Sequence, residues 1–340
     1  MNIVVLAGGR SSERNVSLNS GVLVWKILNE INHNAVLIDI AKGITNDNIK
    51  IEDMFRNKMS FVDEESIETT PYKKTINTYQ FFERDILEIC KFCDVVFIAL
   101  HGEDGEDGKI QGLLDLYNIK YTGSNHMSSA IAMNKYFTKK ILQSEKIRVP
   151  SSVLINKDIT DFTNIIEKVK IPCVIKPVNG GSSIGVTIVK NVSDIEDAIG
   201  RALENSDNIL VEQYIEGREF SVGILGQQVL PVIEIIADGG FYDYFNKYHS
   251  EMTYEICPAH IPDKVCKNMK EIAQNVAMLL GLRDYCRIDF ILDHKNQIYC
   301  LEANSLPGLT QNSLLPQEAK AMKIEFSQLC DMIVKMALKH

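Results

Sequence analysis

The chain has 340 residues, of which 45% are hydrophobic and 24% are charged, and its net charge at pH 7 is −9. This length and composition are typical of a globular protein with two or three domains. The acidic balance argues against nucleic acid as a partner, because sequence-independent binding to DNA or RNA needs a basic surface. No apolar run approaches the length of a membrane-spanning helix, so no membrane partner is expected.

The first part of the chain alternates predicted strands with a predicted helix. Strands are expected at residues 2–9, 34–40 and 94–102, and an amphipathic helix at 16–30. This order is typical of a parallel α/β sheet. The glycine turn after the first strand lacks the G-x-G-x-x-G spacing, so a dinucleotide site is only weakly indicated. The chain begins directly with a strand pattern, which argues against a secretory signal.

A polar, acidic insertion interrupts this pattern between about residues 42 and 88, and the sequence does not predict its structure. The eight cysteines are scattered and lie mostly in apolar segments, as expected for reduced core residues of a cytoplasmic protein. Cys90 and Cys93 form a C-x-x-C pair where a helix runs into a strand. With no second cysteine pair or histidine cluster nearby, a structural interpretation is favoured over a metal or redox site.

The rest of the chain is predicted to contain helices and hairpins without repeats or long linkers. Helices are expected at 128–147, 192–203, 266–282 and 325–338. Single strands are expected at 149–155 and 209–215, and hairpins at 174–189, 218–235 and 285–304.

The hairpin at 174–189 carries Lys176 before a glycine–serine loop, NGGSS. Two residues would suffice to join the strands, so this loop has backbone N–H groups to spare. Such a loop beside a lysine can bind phosphate oxygens. A flexible surface hairpin is the alternative, because glycine and serine are common in turns.

The hairpin at 285–304 brings acidic residues together. With the centre of its turn between residues 295 and 296, Asp289 lies opposite Glu302. Two facing carboxylates repel unless a cation lies between them. The opposite face of the hairpin is expected to carry Ile288, Phe290, Leu301 and Ala303.

Arg287 and Asn304 share the predicted acidic face of this hairpin. Oxygen ligands without histidine or cysteine suit Mg²⁺, which completes its coordination with water and phosphates. The alternative is a solvated polar face on which Arg287 neutralises the acids. A phosphate loop and a magnesium face together indicate nucleoside triphosphate chemistry on a scaffold without a P-loop or kinase signature.

The motifs in their order resemble those of ATP-grasp enzymes. They are MNK, VIKP…GGSSIGV, VEQYIEGREFSV, FYDYFNKY, CRIDF and LEANSLPGLT. Two further segments, AGGRSSERNVSLNSG and HGEDGEDGKIQG…YTGS, resemble the D-alanine–D-alanine ligases in particular. The resemblance covers nearly the whole chain apart from the acidic insertion.

This resemblance implies a mixed α/β class with α+β elements, the ATP-grasp fold. It implies an N-terminal parallel α/β domain at 1–134, a central ATP-grasp subdomain at 135–219, and a C-terminal ATP-grasp subdomain at 220–340 with metal and substrate sites. ATP would lie between the sheets of the second and third domains. A cytoplasmic homodimer is expected.

The activity implied by the resemblance is ATP-dependent ligation of two D-alanine molecules through an acyl phosphate, for peptidoglycan precursor synthesis. ATP would be the co-substrate and two Mg²⁺ or Mn²⁺ ions the cofactors, with Asp289, Glu302 and Asn304 as ligands. Another ATP-grasp carboxylate–amine ligase and a catalytically silent nucleotide-binding relative are the alternatives. The general base for the second amine is not evident, and tolerance for D-serine or glycine is not predicted.

The positions that match the family's ATP site are Lys135, Lys176, Ser183, Glu212, Ile215 and Glu219. The two lysines match phosphate contacts, and the backbone of Ile215 would face the adenine. Glu212 matches the acceptor of the adenine amino group, and Glu219 matches the ribose contact.

The positions that match the family's substrate and catalytic residues are Glu13, His101, Ser182, Lys247, Tyr248, Arg287, Gly308 and Ser313. Glu13 would hold the ammonium of the first D-alanine, with Ser182 and Tyr248 as its partners under a lid at about 238–255. Considered alone, Glu13 would be an acid favoured at a helix N-terminus. His101 would lie near the first substrate, although a histidine after a buried strand is more often structural.

Arg287 and the backbone N–H of Gly308 match the oxyanion hole of the family. Lys247 and Ser313 match positions that receive the carboxylate of the second substrate. Two features depart from the family pattern. Asp284 replaces a usual glycine, and Glu103 with Asp104 adds negative charge to the substrate loop.

Overall fold

The computed structural model describes residues 1–44, 49–67, 84–158, 170–237 and 253–340. Within these ranges the strands form three sheets, one parallel and two antiparallel, with helices packed against them. The mixed α/β class predicted from the sequence is confirmed.

The first sheet is parallel, and its strand order is β2-β1-β3. Its strands are β1 (Asn2–Ala7), β2 (Asn34–Asp39) and β3 (Val95–Ile98). Nearly every residue of the three strands is buried, which explains their continuous apolar sequences. Helix α1 (Arg14–Glu30) connects β1 to β2 and packs against both, as the alternating pattern predicted.

The described part of the acidic insertion contains two short helical elements. They are α2 (Ile51–Arg56) and a 3₁₀ turn at Glu64–Ser66. Met54 and Phe55 of α2 are buried in the core of the first sheet. The next helix, α3 (Arg84–Phe92), leads into β3.

The prediction of a single helix at 128–147 is wrong, because the chain forms two helices there. They are α5 (His126–Met133) and α6 (Lys135–Ser144). Asn134 lies between them with non-helical backbone angles, and its side chain accepts a hydrogen bond from the N–H of Phe137. Asparagine is a preferred N-cap residue, so Asn134 begins α6 and makes Lys135 its first residue. Helix α4 (Lys109–Leu116), which precedes them, was not predicted.

The second sheet is antiparallel, with strand order β4-β7-β5-β6. Its strands are β4 (Ser152–Asn156), β5 (Cys173–Pro177), β6 (Thr187–Val189) and β7 (Asn208–Gln213). A 3₁₀ turn at Val192–Asp194 leads into helix α7 (Ile195–Leu203), which packs against the sheet. The predicted Lys176 hairpin is confirmed as β5 and β6.

The third sheet is antiparallel, with strand order β11-β10-β8-β12-β13 and β9 paired to β8. Its strands are β8 (Gly217–Leu225), β9 (Gln228–Val229), β10 (Ile233–Ala237), β11 (Thr253–Ile256), β12 (Tyr285–Asp293) and β13 (Ile298–Asn304). The helices of this part are α8 (Asp263–Leu279), α9 (Leu314–Ala321) and α10 (Phe326–Ala337).

The hairpin predicted at 218–235 is present, but its second arm is divided into β9 and β10. Pro231 lies at the break and has no N–H to donate to a ladder, which explains the interruption. Strand β11 and helix α9 had no sequence prediction. The boundary predicted after residue 219 falls within β8, and the domain boundaries remain predictions.

All eight cysteines are free thiols. Burial raises the pKa of Cys90 well above its ordinary value and that of Cys93 to about 12, so both thiols stay protonated at neutral pH. In the ranges given above, no three His, Cys, Asp or Glu side chains form a group that could hold a metal ion. None of the helices there is both long and apolar enough to cross a membrane.

Candidate active site

A cavity of about 400 Å³ is lined by residues of the second and third sheets. Its size and its mixture of apolar and charged side chains suit a small-molecule ligand. The apolar lining residues include Val174, Val186, Ile188, Ile215, Ile235, Ile291, Leu301 and Leu314. The predicted ATP-site residues that line it are Lys135, Lys176, Ser183, Glu212, Ile215 and Glu219.

Glu212 lies on β7 between two lysines. Its Oε2 atom is 2.9 Å from Lys176 Nζ, and its Oε1 atom is 2.9 Å from Lys139 Nζ. Burial by itself would raise the pKa of Glu212, but Lys139 and then Lys176 lower it overall. The carboxylate is therefore held ionised inside the protein. Lys139 was not predicted as a site residue, since a lysine within a helix gives no local signal of its partner.

Lys135 connects the glycine–serine loop to the acidic hairpin. Its Nζ atom donates to the carbonyl of Gly180 at 2.6 Å and lies 3.3 Å from Glu302 Oε2. As the first residue of α6, it is placed by the Asn134 cap. The second predicted phosphate contact, Lys176, is at the end of β5 on the same cavity.

The glycine–serine loop approaches the N-terminal part of the chain. Ser182 donates a hydrogen bond to Glu13 Oε1. A Cβ atom on Gly181 would lie only 2.9 Å from Glu13 Oε2, so glycine permits this approach. Ser182 and Ser183 both have positive φ angles, of 49° and 57°. The loop is therefore packed against Glu13, unlike a free surface turn.

Glu13 is buried just before α1, and neighbouring loops fix its position. Its N–H donates to Ser11 Oγ at 3.2 Å, and Ser11 Oγ donates to the carbonyl of His101 at 2.6 Å. The turn after β1 therefore lies against the turn after β3. The carboxyl ends of parallel strands meet at one edge of a sheet, which explains why these two loops meet.

A buried ion pair supports the turn after β1. Arg14 Nη1 donates to the carbonyl of Gly9 at 2.7 Å and to Asp39 Oδ1 at 2.8 Å. Gly8 has a φ of +75°, and a Cβ atom there would lie 2.3 Å from Asp39 Oδ1, so a glycine is required. Neither Arg14 nor Asp39 was predicted to support the site. They are 25 residues apart in the sequence and meet only because β1 and β2 pair.

His101 is buried beside Glu13 and has polar neighbours on both ring nitrogens. Its Nε2 atom is 3.2 Å from Ser20 Oγ, and its Nδ1 atom is 3.9 Å from Glu106 Oε1. Burial alone would lower the pKa of His101, but Glu106 and then Glu13 raise it above its ordinary value. The two carboxylates therefore make the imidazole of His101 easier to protonate than an ordinary histidine.

The added acids of the substrate loop differ in their surroundings. Asp104 is buried and lies 2.8 Å from Lys109 Nζ and 3.4 Å from Arg10 Nη2. Glu103 is exposed, and its carboxylate is 3.7 Å from the same lysine. The local cations therefore offset much of the negative charge that these two residues add.

The acidic hairpin has the predicted register at the end that carries Asp289 and Glu302. Asp289 is opposite Glu302, and Arg287 is opposite Asn304. Asp289 accepts hydrogen bonds from Arg287 Nε at 2.9 Å, from Asn304 Nδ2 at 2.9 Å and from Ser221 Oγ at 2.7 Å. Arg287 thus pairs with one acid and Lys135 with the other, so two cations moderate the repulsion between the carboxylates.

The predicted position of Leu301 is wrong. The turn is centred on residue 295, because the N–H of Asp293 donates to the carbonyl of Gln297, and Asn296 has a φ of 57°. Three-residue turns of this kind commonly end in a left-handed residue. The register then shifts between Asp289 and Phe290, which leaves Leu301 as an extra residue on β13. Leu301 lines the cavity, while Ile288, Phe290 and Ala303 are in the core as predicted.

Gly308 and Ser313 are neighbours in the segment that follows β13. A Cβ atom on Gly308 would lie 2.9 Å from Ser313 Oγ. Ser313 Oγ accepts from the N–H of Thr310 at 3.1 Å, and Ser313 precedes the first residue of α9. Lys247, Tyr248 and residues 238–252 of the predicted lid lie outside the described residues.

Two family models match nearly the whole chain. They are described as "D-ala D-ala ligase N-terminus", which matches residues 2–124, and "D-ala D-ala ligase C-terminus", which matches residues 137–335. The chain belongs to the D-alanine–D-alanine ligase family. The family that the sequence motifs predicted is therefore confirmed.

Curated members of this family align with the chain over its full length. A D-alanine–D-alanine ligase of Pediococcus pentosaceus is 39% identical over 98% of this chain and 97% of its own length. The ligase of Aquifex aeolicus is 37% identical over 98% of this chain and 100% of its own length. The alignments leave little of either protein unmatched.

A solved structure of the family also has the same fold. The Bacillus anthracis D-alanine–D-alanine ligase complexed with ATP superposes with a TM-score of 0.77 at 28% sequence identity. The match covers 100% of this chain and 98% of that one. The ATP-grasp fold predicted from the motifs is confirmed by this similarity.

Proposed function

We propose that this chain joins two D-alanine molecules into D-alanyl-D-alanine, with release of ADP and phosphate, and so supplies a precursor of peptidoglycan. One observation carries the proposal. The glycine–serine loop reaches from the Lys176 and Glu212 end of the cavity to Glu13 at the N-terminal sheet. A candidate nucleotide site and a candidate ammonium site are thereby adjacent, in a member of the ligase family.

The nucleotide would bind in the cavity between the second and third sheets. Lys135 and Lys176 supply positive charge for the phosphates, as expected for a loop of backbone N–H groups beside lysines. Glu212 accepts from the amino group of adenine, and Glu219 contacts the ribose. The apolar side chains of the cavity, including Leu301, cover the faces of the base.

Asp289, Glu302 and Asn304 fit a site for Mg²⁺ or Mn²⁺. Their side chains offer oxygen ligands, and the observed register places all three on one face of the hairpin. Two carboxylates and one amide are also the small protein contribution that Mg²⁺ usually takes beside phosphate oxygens. Two such ions would neutralise charge on the phosphates of the nucleotide.

The reaction would begin with the ammonium of the first D-alanine on Glu13. Ser182, Tyr248 and His101 would complete this binding site. The carboxylate of the substrate then attacks the γ-phosphate of ATP to give an acyl phosphate and ADP. Lys135 and Lys176 stabilise the charge of the phosphoryl group in transit, which is the main source of catalysis in such transfers.

The second half-reaction would take place near Arg287, which lines the cavity. Lys247 and Ser313 receive the carboxylate of the second D-alanine, whose amine attacks the acyl carbon. Arg287 and the N–H of Gly308 stabilise the tetrahedral oxyanion, and phosphate then leaves. A lid at about 238–255 would exclude water, which otherwise hydrolyses the acyl phosphate.

The enzyme is expected to act as a homodimer in the cytoplasm. The dimer is what the family resemblance implies, whereas the cytoplasm is also expected from the scattered cysteines, which are typical of reduced core residues. Light scattering on the purified chain at several concentrations tests the dimer, since a mass that stays at 38.3 kDa would contradict it.

The deciding experiment supplies D-alanine as the sole amino acid with ATP and Mg²⁺. We expect ADP, phosphate and D-alanyl-D-alanine in equal amounts, measured by chromatography and mass spectrometry. ADP formation only with a different amino acid would favour another carboxylate–amine ligase. Nucleotide binding without ADP formation with any amino acid would favour a silent relative.

A further inference from the structure

A buried row of three charged side chains lies at one end of the cavity. Lys139, Glu212 and Lys176 follow one another, with 2.9 Å between the charged atoms at each step. Their side chains are 2%, 3% and 10% exposed. Glu212 and Lys176 line the cavity, whereas Lys139 is not part of the lining and lies behind Glu212.

Lys139 reaches this position from helix α6. It lies four residues after Lys135 and therefore on the same helix face. Lys135 faces the cavity, while Lys139 points into the protein interior. The following residue, Lys140, is exposed and lies over the ring of Tyr136. The helix thus carries two adjacent lysines of opposite exposure.

Burying the ammonium group of Lys139 costs free energy, so its charge is expected to have a role. Burial lowers the pKa of Lys139, and Glu212 only partly opposes that effect. Lys139 Nζ lies 2.9 Å from Glu212 Oε1, and the described residues offer Lys139 Nζ no further hydrogen bond. Buried pairs of this kind are often no more stabilising than apolar side chains of similar volume. Stability alone therefore gives no reason for a lysine here.

Of the two lysines in the row, Lys176 faces the cavity and Lys139 does not. Lys176 comes from β5, and Glu212 comes from β7. The Cys300 thiol of β13 also faces the row, but burial raises its pKa to about 12, so it is neutral. Without Lys139, Lys176 would be the one cation left to balance the charge of Glu212 in this row. The phosphates of the nucleotide also need the charge of Lys176.

We propose that Lys139 is a positioning residue for the nucleotide, which holds Glu212 from behind as an ionised acceptor for the amino group of adenine and leaves Lys176 free to serve the phosphates. This inference rests on the proposed nucleotide site. It predicts that the site distinguishes purine nucleotides by the group that they carry at position 6 of the base. An ionised carboxylate accepts from a 6-amino group and repels a 6-oxo group, as in inosine nucleotides.

The test is calorimetric binding of ADP and IDP without D-alanine. We expect Lys139→Met to weaken ADP binding by about tenfold or more and to reduce the preference for ADP over IDP, because one partner of a buried pair is lost. Lys140→Met makes the same chemical change on the exposed face of α6 and should alter neither value. Unchanged ADP affinity and selectivity in Lys139→Met would overturn the proposal.

A double-mutant cycle separates positioning from a general structural role. In a Glu212→Gln background, Lys139→Met should change ADP affinity by less than about twofold, because the residue through which it acts is gone. An equal loss in both backgrounds would overturn the proposal. Lys139→Arg keeps the charge and should keep the preference for ADP. A folded Lys139→Arg protein with the selectivity of Glu212→Gln would also overturn it.

These measurements do not depend on turnover. If the wild-type protein binds ADP with strong selectivity over IDP but forms no D-alanyl-D-alanine, the proposed function fails and the role of Lys139 stands. If the wild-type protein makes the dipeptide and Lys139→Met binds ADP as well as wild type, the proposed function stands and the role of Lys139 fails.

Discussion

Glu302 shows how a single carboxylate depends on charges brought from elsewhere in the chain. Lys135 lies 3.3 Å from it, and Asp289 is opposite it in the hairpin. Glu302→Gln keeps the shape of the side chain and removes the charge. In the proposed site, this change removes an oxygen ligand that acts in the transition state. We expect kcat for ADP formation to fall by at least about 100-fold, since each 1.36 kcal/mol of lost stabilisation is tenfold in rate.

The control for this change is Glu271→Gln on the exposed face of α8, which should retain wild-type kcat. Circular dichroism of both variants checks that the fold is intact. A Glu302→Gln enzyme with wild-type kcat at all Mg²⁺ concentrations would remove Glu302 from the proposed metal site.

His101 offers a prediction about protonation. Glu106 is the largest influence that raises its pKa, against the opposing effect of burial. Protonated His101 therefore adds to the stability of the folded protein. This contribution is fully present below the unfolded pKa of about 6.5 and is lost as pH rises through the higher folded pKa. We expect Glu106→Gln to lower the pKa of His101, measured by NMR titration of its ring proton.

The matched control is Glu103→Gln in the same loop, because Glu103 is exposed and is not among the main influences on the pKa of His101. Its effect on the titration should be smaller. An equal shift in both variants would mean that the general charge of the loop, and not Glu106, sets the protonation of His101.

Helix α6 carries both Lys135 and Lys139, so its start determines where two site lysines lie. The Asn134 side chain accepts from the N–H of Phe137 and caps this helix. Asn134→Ala should cost about 0.5–2 kcal/mol of stability, as measured for other N-caps. It should also raise the KM for ATP, because Lys135 is the first residue after the cap. Urea unfolding and initial-rate kinetics measure the two effects.

Asn134→Ser retains an N-cap oxygen and should restore most of both properties. If Asn134→Ala loses stability while the KM for ATP stays at the wild-type value, the cap supports the fold without placing Lys135.

Most elements of the three sheets were predictable, because their periodic patterns are local. The break between α5 and α6 was not, since a helical pattern continues across Asn134 and only the side-chain cap interrupts it. The acidic hairpin is similar. Its functional register was predicted, but a three-residue turn and a β-bulge together replaced the regular ladder that was expected.

At the scale of the whole molecule, the proposed reaction should be selective for the hand and nucleophile of its substrates. Glu13 would fix the ammonium of the first D-alanine and so the configuration of its α-carbon. Lys247 and Tyr248 match family positions that accompany an amine nucleophile. We therefore expect strong preference for D-alanine over D-lactate as second substrate, and very little turnover of L-alanine.

Phosphate release and product mass with D-alanine alone, with added D-lactate, and with L-alanine alone measure these preferences. A depsipeptide as the main product, or L-alanine turnover equal to that of D-alanine, would contradict the assignment. D-Serine and glycine are weaker tests, because one hydroxyl or one methyl group is worth only about 1–3 kcal/mol in a pocket.

The sequence by itself determined the family, the order of most elements, and the residues that carry the proposed chemistry. Motifs and apolar periodicity involve residues that are close together in the chain, so they can be recognised without the structure. Only the tertiary structure decided which side chains support them. Arg14 meets Asp39 through the pairing of β1 with β2, and Lys139 meets Glu212 through the packing of α6 behind the cavity. The partners lie 25 and 73 positions apart, and their contact depends on how sheets and helices pack, which no local pattern specifies.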